Sequence, residues 1–214
     1  MTDLKTLLDQ SASCHYHHLC PRQVLGVRMG VYAGELLDLV LPQSDKRLFA
    51  FVETDGCLID GIVVATGCAV GHRTMHVIDY GKSAATFVDT ETERAIRVWA
   101  HPQSRARARE YAPNAPDRWH AQLAAYQMMP ANELLLAQRV SLTVSLAAII
   151  SKHGVRVVCD RCGEDIINER EVRVDGDVLC RACAHGAYYA VGSEQSTVND
   201  ETRNRYSLIV DGAK

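Results

Sequence analysis

The stretch Cys14-His15-Tyr16-His17-His18-Leu19-Cys20-Pro21 gathers three of the nine histidines and two of the eight cysteines of this 214-residue chain into seven positions. Pro21 opens an apolar helical pattern, and proline suits the first helical position because its missing N–H is not needed there. Cys20 is therefore expected at the N-cap, where free backbone N–H groups and the helix dipole favour a thiolate. His18 precedes it by two residues, which on an extended chain places both on one side. His18 and Cys20 can therefore point into one site, where a thiolate is both a nucleophile and a metal ligand. A second thiol, Cys57, falls in the first turn of a helix expected over about 56–66, with Asp60 one turn on. Asp60 is suited to orient a ligand or accept a proton.

Cys159-Asp160-Arg161-Cys162 and Cys180-Arg181-Ala182-Cys183 are two C-x-x-C knuckles. That spacing wraps a tetrahedral metal, with a hairpin turning at Asp175-Gly176 between the knuckles. Four thiolates fill the coordination sphere, so this is expected to be a structural zinc. So small a module has too little core to fold without it. Acidic side chains outnumber arginines around the knuckles, which favours protein contact over nucleic acid.

The elements that must carry these groups follow from the pattern. A short amphipathic helix over 2–13 leads into the His/Cys loop. The helix from Pro21 to about Asp38 carries Gly26, Gly30 and Gly34 on one stripe, which calls for close approach by another helix or backbone. Residues 47–53 read as a strand, and Asp55 and Gly67 are the expected caps of the helix after it. Met75–Tyr80 and Ala84–Asp89 are expected to pair as a hairpin through Gly81-Lys82, with a third strand at Ala95–Ala100. Tyr80 and Lys82 at that turn either hold an anionic ligand or cap the hairpin. Helices are expected at Ser104–Tyr111, where the arginines read as a solvated face, and at Arg118–Met128 capped by Asp117. A further strand is expected at Val140–Val144, then a short helix from Ser145. Cys68 follows a helix C-terminus, Cys14 is offset from the main spacing, and His72 and His76 flank a turn. Cys68 reads as packing or a ligand, Cys14 as structural or exposed, and the two histidines as solvated. Trp99, Trp119 and Tyr126 read as core or interface anchors.

The formal net charge of −3 gives no overall attraction to nucleic acid. No apolar run is long enough to span a bilayer and residues 1–13 lack a signal-peptide core, so a cytoplasmic protein is expected. In that setting eight cysteines point to metal or redox chemistry rather than a disulfide framework.

His18-Leu19-Cys20-Pro21, Leu25-Gly26 and Arg28-Met29-Gly30 form one set of motifs. Glu53-Thr54-Asp55-Gly56-Cys57, Asp60, Thr66-Gly67-Cys68, Asp79-Tyr80-Gly81-Lys82, Ala84 and Thr86-Phe87 continue it. Across about residues 10–100 this set resembles the E-subunit family of formylmethanofuran dehydrogenase. The resemblance implies an α+β fold: a core domain of antiparallel or mixed sheet packed with helices, then a small zinc-ribbon domain. The expected boundaries are 1–152 for the core, 153–190 for the ribbon and 191–214 for a polar tail with a short strand at 206–210. It also implies a homodimer, for which the glycine stripe is a second argument, a redox-pathway association, and a metal cleft at His18, Cys20 and Cys57. The family's His-x-His-x-Cys arrangement has Tyr16 in place of its first histidine, so either His15 or His17 substitutes or one ligand is lost. No molybdopterin or tungstopterin site is present in the sequence. The expectation is a metal-binding protein with structural zinc and a second metal in the core cleft. The alternatives are a zinc-ribbon regulatory or adaptor protein whose ribbon recruits another protein or nucleic acid, and a thiol redox protein using Cys20 with Cys57 or Cys68.

Overall fold

The computed structural model describes residues 2–150 and 154–190. The polar tail expected at 191–214, with its strand at 206–210, lies outside the described residues. The chain divides into two compact units, 1–150 and 151–214, each treated by itself.

The first unit is α+β. Helix α1 (Leu4–Ser13) is capped by Asp3, whose carboxylate accepts from Thr6 N–H, and it buries Leu7, Leu8 and Ser11. Helix α2 (Pro21–Leu37) begins at Cys20, as proline at N1 dictates, and ends on Asp38 in the left-handed conformation. Strand β1 (Leu48–Val52) precedes α3 (Cys57–Thr66), which stops at Gly67 with φ 78°. The N-cap of α3 is Gly56, also at φ 78°, rather than the expected Asp55. Glycine meets the backbone requirement there without a side-chain cap.

The remaining strands are β2 (Met75–Val77), β3 (Ala84–Asp89), β4 (Ala95–Ala100) and β5 (Leu135–Val140), in the spatial order β2-β1-β3-β4-β5. The expected hairpin of β2 with β3 does not form. β2 pairs with β1 in parallel, Phe51 opposite His76, and β3 lies antiparallel on the other side of β1. Residues 78–82 cross the end of β1, with Ile78 N–H donating to Val52 O and both Tyr80 and Lys82 N–H to Glu53 O. That crossing separates the two strands. β5 also lies earlier than the expected 140–144. Buried Leu135 starts it, and it pairs with β4 from Leu135–Ala100 to Val140–Ala95.

Helices α4 (Ser104–Tyr111), α5 (Arg118–Met128), α6 (Ala131–Leu134) and α7 (Leu146–Ile149) complete the unit. Alternation along β1 sends Leu48, Ala50 and Val52 into the main helix-covered core and Phe49 and Phe51 to the opposite face. Arg28 fixes α5 against α2 by donating to Tyr126 O and Met129 O, both at 2.8 Å.

The glycine stripe packs within the chain. A Cβ on Gly30 would lie 2.6 Å from the Ala65 Cβ, and one on Gly26 3.0 Å from Ile62 N, so α2 and α3 approach backbone to backbone. Gly61 answers from α3, where an added Cβ would stand 2.6 Å from Val27 N. Gly34 faces Leu39 and Leu41 in the following loop. The stripe therefore supplies no argument for a second chain.

The second unit holds strands β6 (Arg156–Val158), β7 (Asp165–Ile167), β8 (Val172–Val174) and β9 (Asp177–Leu179), then α8 (Arg181–His185). β6 pairs with β7 and β8 with β9. The β8–β9 turn is Asp175-Gly176, both at positive φ as expected for that dipeptide. Among the described residues no helix is long and apolar enough to cross a membrane.

Candidate metal sites and family

In the second unit Cys159, Cys162, Cys180 and Cys183 present their sulfurs within 4.8 Å of one another. Cys162 and Cys180 Sγ stand 3.9 Å apart, close to the roughly 3.8 Å that two thiolates at zinc–sulfur distance subtend in a tetrahedron. Backbone amides point at the sulfurs, with Cys180 N–H on Cys159 Sγ at 3.2 Å and Cys183 N–H on Cys180 Sγ at 3.4 Å. The amides of Cys162 and then Cys180 hold the Cys159 thiol down at about 6. Cys183 is pushed up to about 12, first by its hydrogen bond with the Cys180 side chain and then by burial. Four thiolates cannot share so small a volume without a cation, and this is a structural zinc site.

In the first unit the cluster forms where the His/Cys loop meets the first turn of α3. His15 Nε2 lies 3.9 Å from Cys57 Sγ, and its Nδ1 lies 3.3 Å from Asp60 Oδ2. A nitrogen and a sulfur on one tetrahedral metal stand about 3.6 Å apart, so the pair fits after a shift of a few tenths of an ångström. An imidazole held by a carboxylate at one nitrogen presents the other as a ligand, and Asp60 sets that orientation. Cys20, buried at the α2 N-cap, touches the same place, because its side chain interacts with Cys57. The Cys57 thiol is pushed up, first by burial, then by Cys20, then by the negative field of Asp60. Together these outweigh the helix N-terminus, which by itself would favour a thiolate.

The loop gets its shape from two devices. Tyr16 (φ 52°) and His17 (φ 59°) are consecutive left-handed residues, a conformation that costs about 1–2 kcal/mol each outside glycine. Buried Gln23 clamps the ends of the loop, accepting Cys20 N–H at 2.8 Å and donating to Ser11 O at 2.9 Å. Gln23 is not among the candidates drawn from sequence, although C-x-x-Q at a helix start has the spacing of a capping box.

The expected ligands thus divide. His15, Cys57 and Asp60 come together with Cys20 beside them. His17 is exposed. His18 is exposed too, its ring stacked on Trp119 at 5.7 Å and standing 6.4 Å from that of His15. Tyr80 lines a separate groove of about 270 Å³ with Glu53, Thr86 and Arg97, on the sheet face opposite the helices, and Lys82 Nζ lies 5.8 Å from the Tyr80 ring. Cys68 is buried and its thiol donates to Leu48 O at 3.3 Å, a packing role. Cys14 is exposed.

Residues 16–136, more than half of the chain, match the family described as FmdE, molybdenum formylmethanofuran dehydrogenase operon. The match takes in His18, Cys20, Cys57 and Asp60 and begins one residue after His15. Residues 154–189 match the prokaryotic dksA/traR C4-type zinc finger. The chain is 29% identical, over 196 residues, to a probable S-adenosyl-L-methionine-binding protein of Archaeoglobus fulgidus; the alignment covers 81% of this chain and 51% of that protein. The chain thus spans about half the length of that curated relative. The fold is similar to the crystal structure of a tungsten formylmethanofuran dehydrogenase FmdE-like protein from Syntrophus aciditrophicus, at a TM-score of 0.56 and 18% identity, covering 88% of this chain and 96% of that one. The motif set, the α+β core and the family match converge: the chain belongs to the FmdE family and carries a C-terminal C4 zinc finger.

Proposed function

We propose that this FmdE-family protein holds a second metal in its core, at the junction of the His/Cys loop and α3. The observation that carries this reading is the convergence of His15, Cys57 and Asp60 within 4.8 Å on elements the fold already fixes. His15 Nε2, Cys57 Sγ and Cys20 Sγ are the ligands, and Asp60 holds the far nitrogen of His15. His15 takes the place that Tyr16 leaves vacant in the family's histidine pattern, and His18 is the further ligand. A mixed imidazole and thiolate set selects borderline metals such as zinc over magnesium or calcium. When bound, the metal would supply an electrophilic centre. The chain's own part is to orient His15 through Asp60 and to keep Cys20 out of water.

The experiment is a cobalt(II) titration of full-length protein whose ribbon is already filled with zinc. A thiolate-to-cobalt charge-transfer band is expected, weakened in both Cys57→Ser and His15→Ala. A band unchanged in both variants overturns the reading. The name of the similar archaeal protein makes S-adenosyl-L-methionine the first small molecule to titrate against the metal-loaded core. A homodimer and a cytoplasmic location belong to the same proposal, supported by the resemblance for the first and by the absence of a bilayer-length apolar helix among the described residues for the second. A monomeric mass in solution would remove the dimer.

A further inference from the structure

His18, two residues before the buried Cys20, is exposed and laid on the indole of Trp119, with ring planes 22° apart. Trp119 is a large aromatic that the core does not use: it is 39% exposed, and its ring neighbours are His18 and His120. Its helix is held at both ends. Asp117 accepts His120 N–H at 2.9 Å at the start, and Arg28 donates to Tyr126 O and Met129 O near the end. The indole is thus a fixed platform.

His18 is tied into the loop through its backbone. Its N–H donates to His15 O at 2.9 Å, which keeps it next to the cluster. A tetrahedral centre held by His15, Cys57 and Cys20 accepts one more donor, and the His18 imidazole ring lies 6.4 Å from that of His15.

We propose that Trp119 is a positioning residue for the core site: its indole stores the His18 imidazole in competition with the core metal. The inference rests on the core-site reading. No covalent step is involved; one aromatic stack is exchanged for one metal–nitrogen bond. An aromatic pair of this kind biases an equilibrium by about two- to tenfold, so the platform weakens metal binding by that factor.

The test uses the full-length chain with Trp99→Phe, so that Trp119 is the one remaining tryptophan, and with the ribbon first filled by one equivalent of zinc. A second equivalent is then titrated, following tryptophan emission and bound zinc together. Emission is expected to rise in step with binding, as the quenching imidazole leaves the indole. In His18→Ala the emission no longer responds. Trp119→Ala is expected to bind the second zinc about two- to tenfold more tightly, while Trp119→Phe, which keeps the stack, stays near the parent. Tight second binding with flat emission, or an unchanged affinity in Trp119→Ala, overturns the storage role and leaves the core site standing. No second binding at all overturns the core site and this inference with it.

Discussion

The zinc ribbon and the candidate core cluster use similar donors in opposite ways. In the ribbon the buried apolar residues are Cys159, Ile166 and Leu179, so the first of its core residues is itself a ligand. Remove the metal and little is left to offset the conformational entropy of ordering 154–190. In the first unit Cys57 and Asp60 ride on α3, locked to α2 by Gly26, Gly30 and Gly61 beside a core that includes Phe87, Leu58 and Met29, and His15 reaches them from the loop between α1 and α2. There the fold brings the candidate donors together; in the ribbon the metal makes the fold. A cysteine's burial and spacing thus say less about its role than the amount of apolar framework standing behind it.

The largest effect that separates the two is chelation. Removing zinc is expected to unfold the ribbon outright, since structural zinc contributes about 10–16 kcal/mol at neutral pH. Amide NMR signals of 154–190 should collapse to unfolded positions, while those of α2, α3 and the sheet persist. Loss of both sets would break the distinction. Gly61→Ala is the reciprocal test. Its Cβ would run into Gln23 O and lie 2.6 Å from Val27 N, against backbone that cannot yield cheaply. Destabilisation of the first unit by about 4 kcal/mol is expected by chemical denaturation, with zinc still bound at the ribbon.

Much of this was legible in the chain. Pro21 located Cys20 at the N-cap, Gly67 stopped α3, and the two C-x-x-C knuckles with Asp175-Gly176 between them specified the ribbon. Each is local chemistry. The misses are non-local. Pairing of β2 with β1 depends on residues 78–82 crossing over Glu53, which no periodicity in 75–89 encodes. The expected face shared by His18 and Cys20 assumed an extended chain. Instead Tyr16 and His17 are left-handed, and Trp119, about a hundred positions on, takes the His18 ring. The glycine stripe was readable as close packing, but whether its partner was α3 or another chain was not.

A smaller effect sharpens the contrast under acid. Asp89 is buried, accepts Arg47 Nε and Nη2 at 2.8 Å each, and also accepts from Thr92 and Glu91 N–H. The Arg47 guanidinium, first among these, holds its carboxyl well below the usual carboxylate range. A folded-state value below the unfolded one means the stabilisation is fully present above about pH 4 and is lost as pH falls further. Asp89→Asn is expected to cost about 2 kcal/mol at neutral pH, discounted because Arg47 is partly exposed. The deficit should shrink in urea denaturation at about pH 3, and a pH-independent deficit would contradict this assignment.

The smallest effect on stability should accompany a large one on binding. Asp60→Asn is expected to change thermal stability by less than about 0.5 kcal/mol, yet to weaken core metal binding about 10–100-fold, as loss of a carboxylate behind a ligating histidine does. Equal affinity in the variant would remove Asp60 from the site.

The most direct measurement is elemental analysis of the full-length protein purified without added metal, beside the His15→Ala/Cys57→Ser double variant. About two metal ions per chain in the parent and about one, the ribbon zinc, in the variant are expected. About one in both would contradict a metal site in the core.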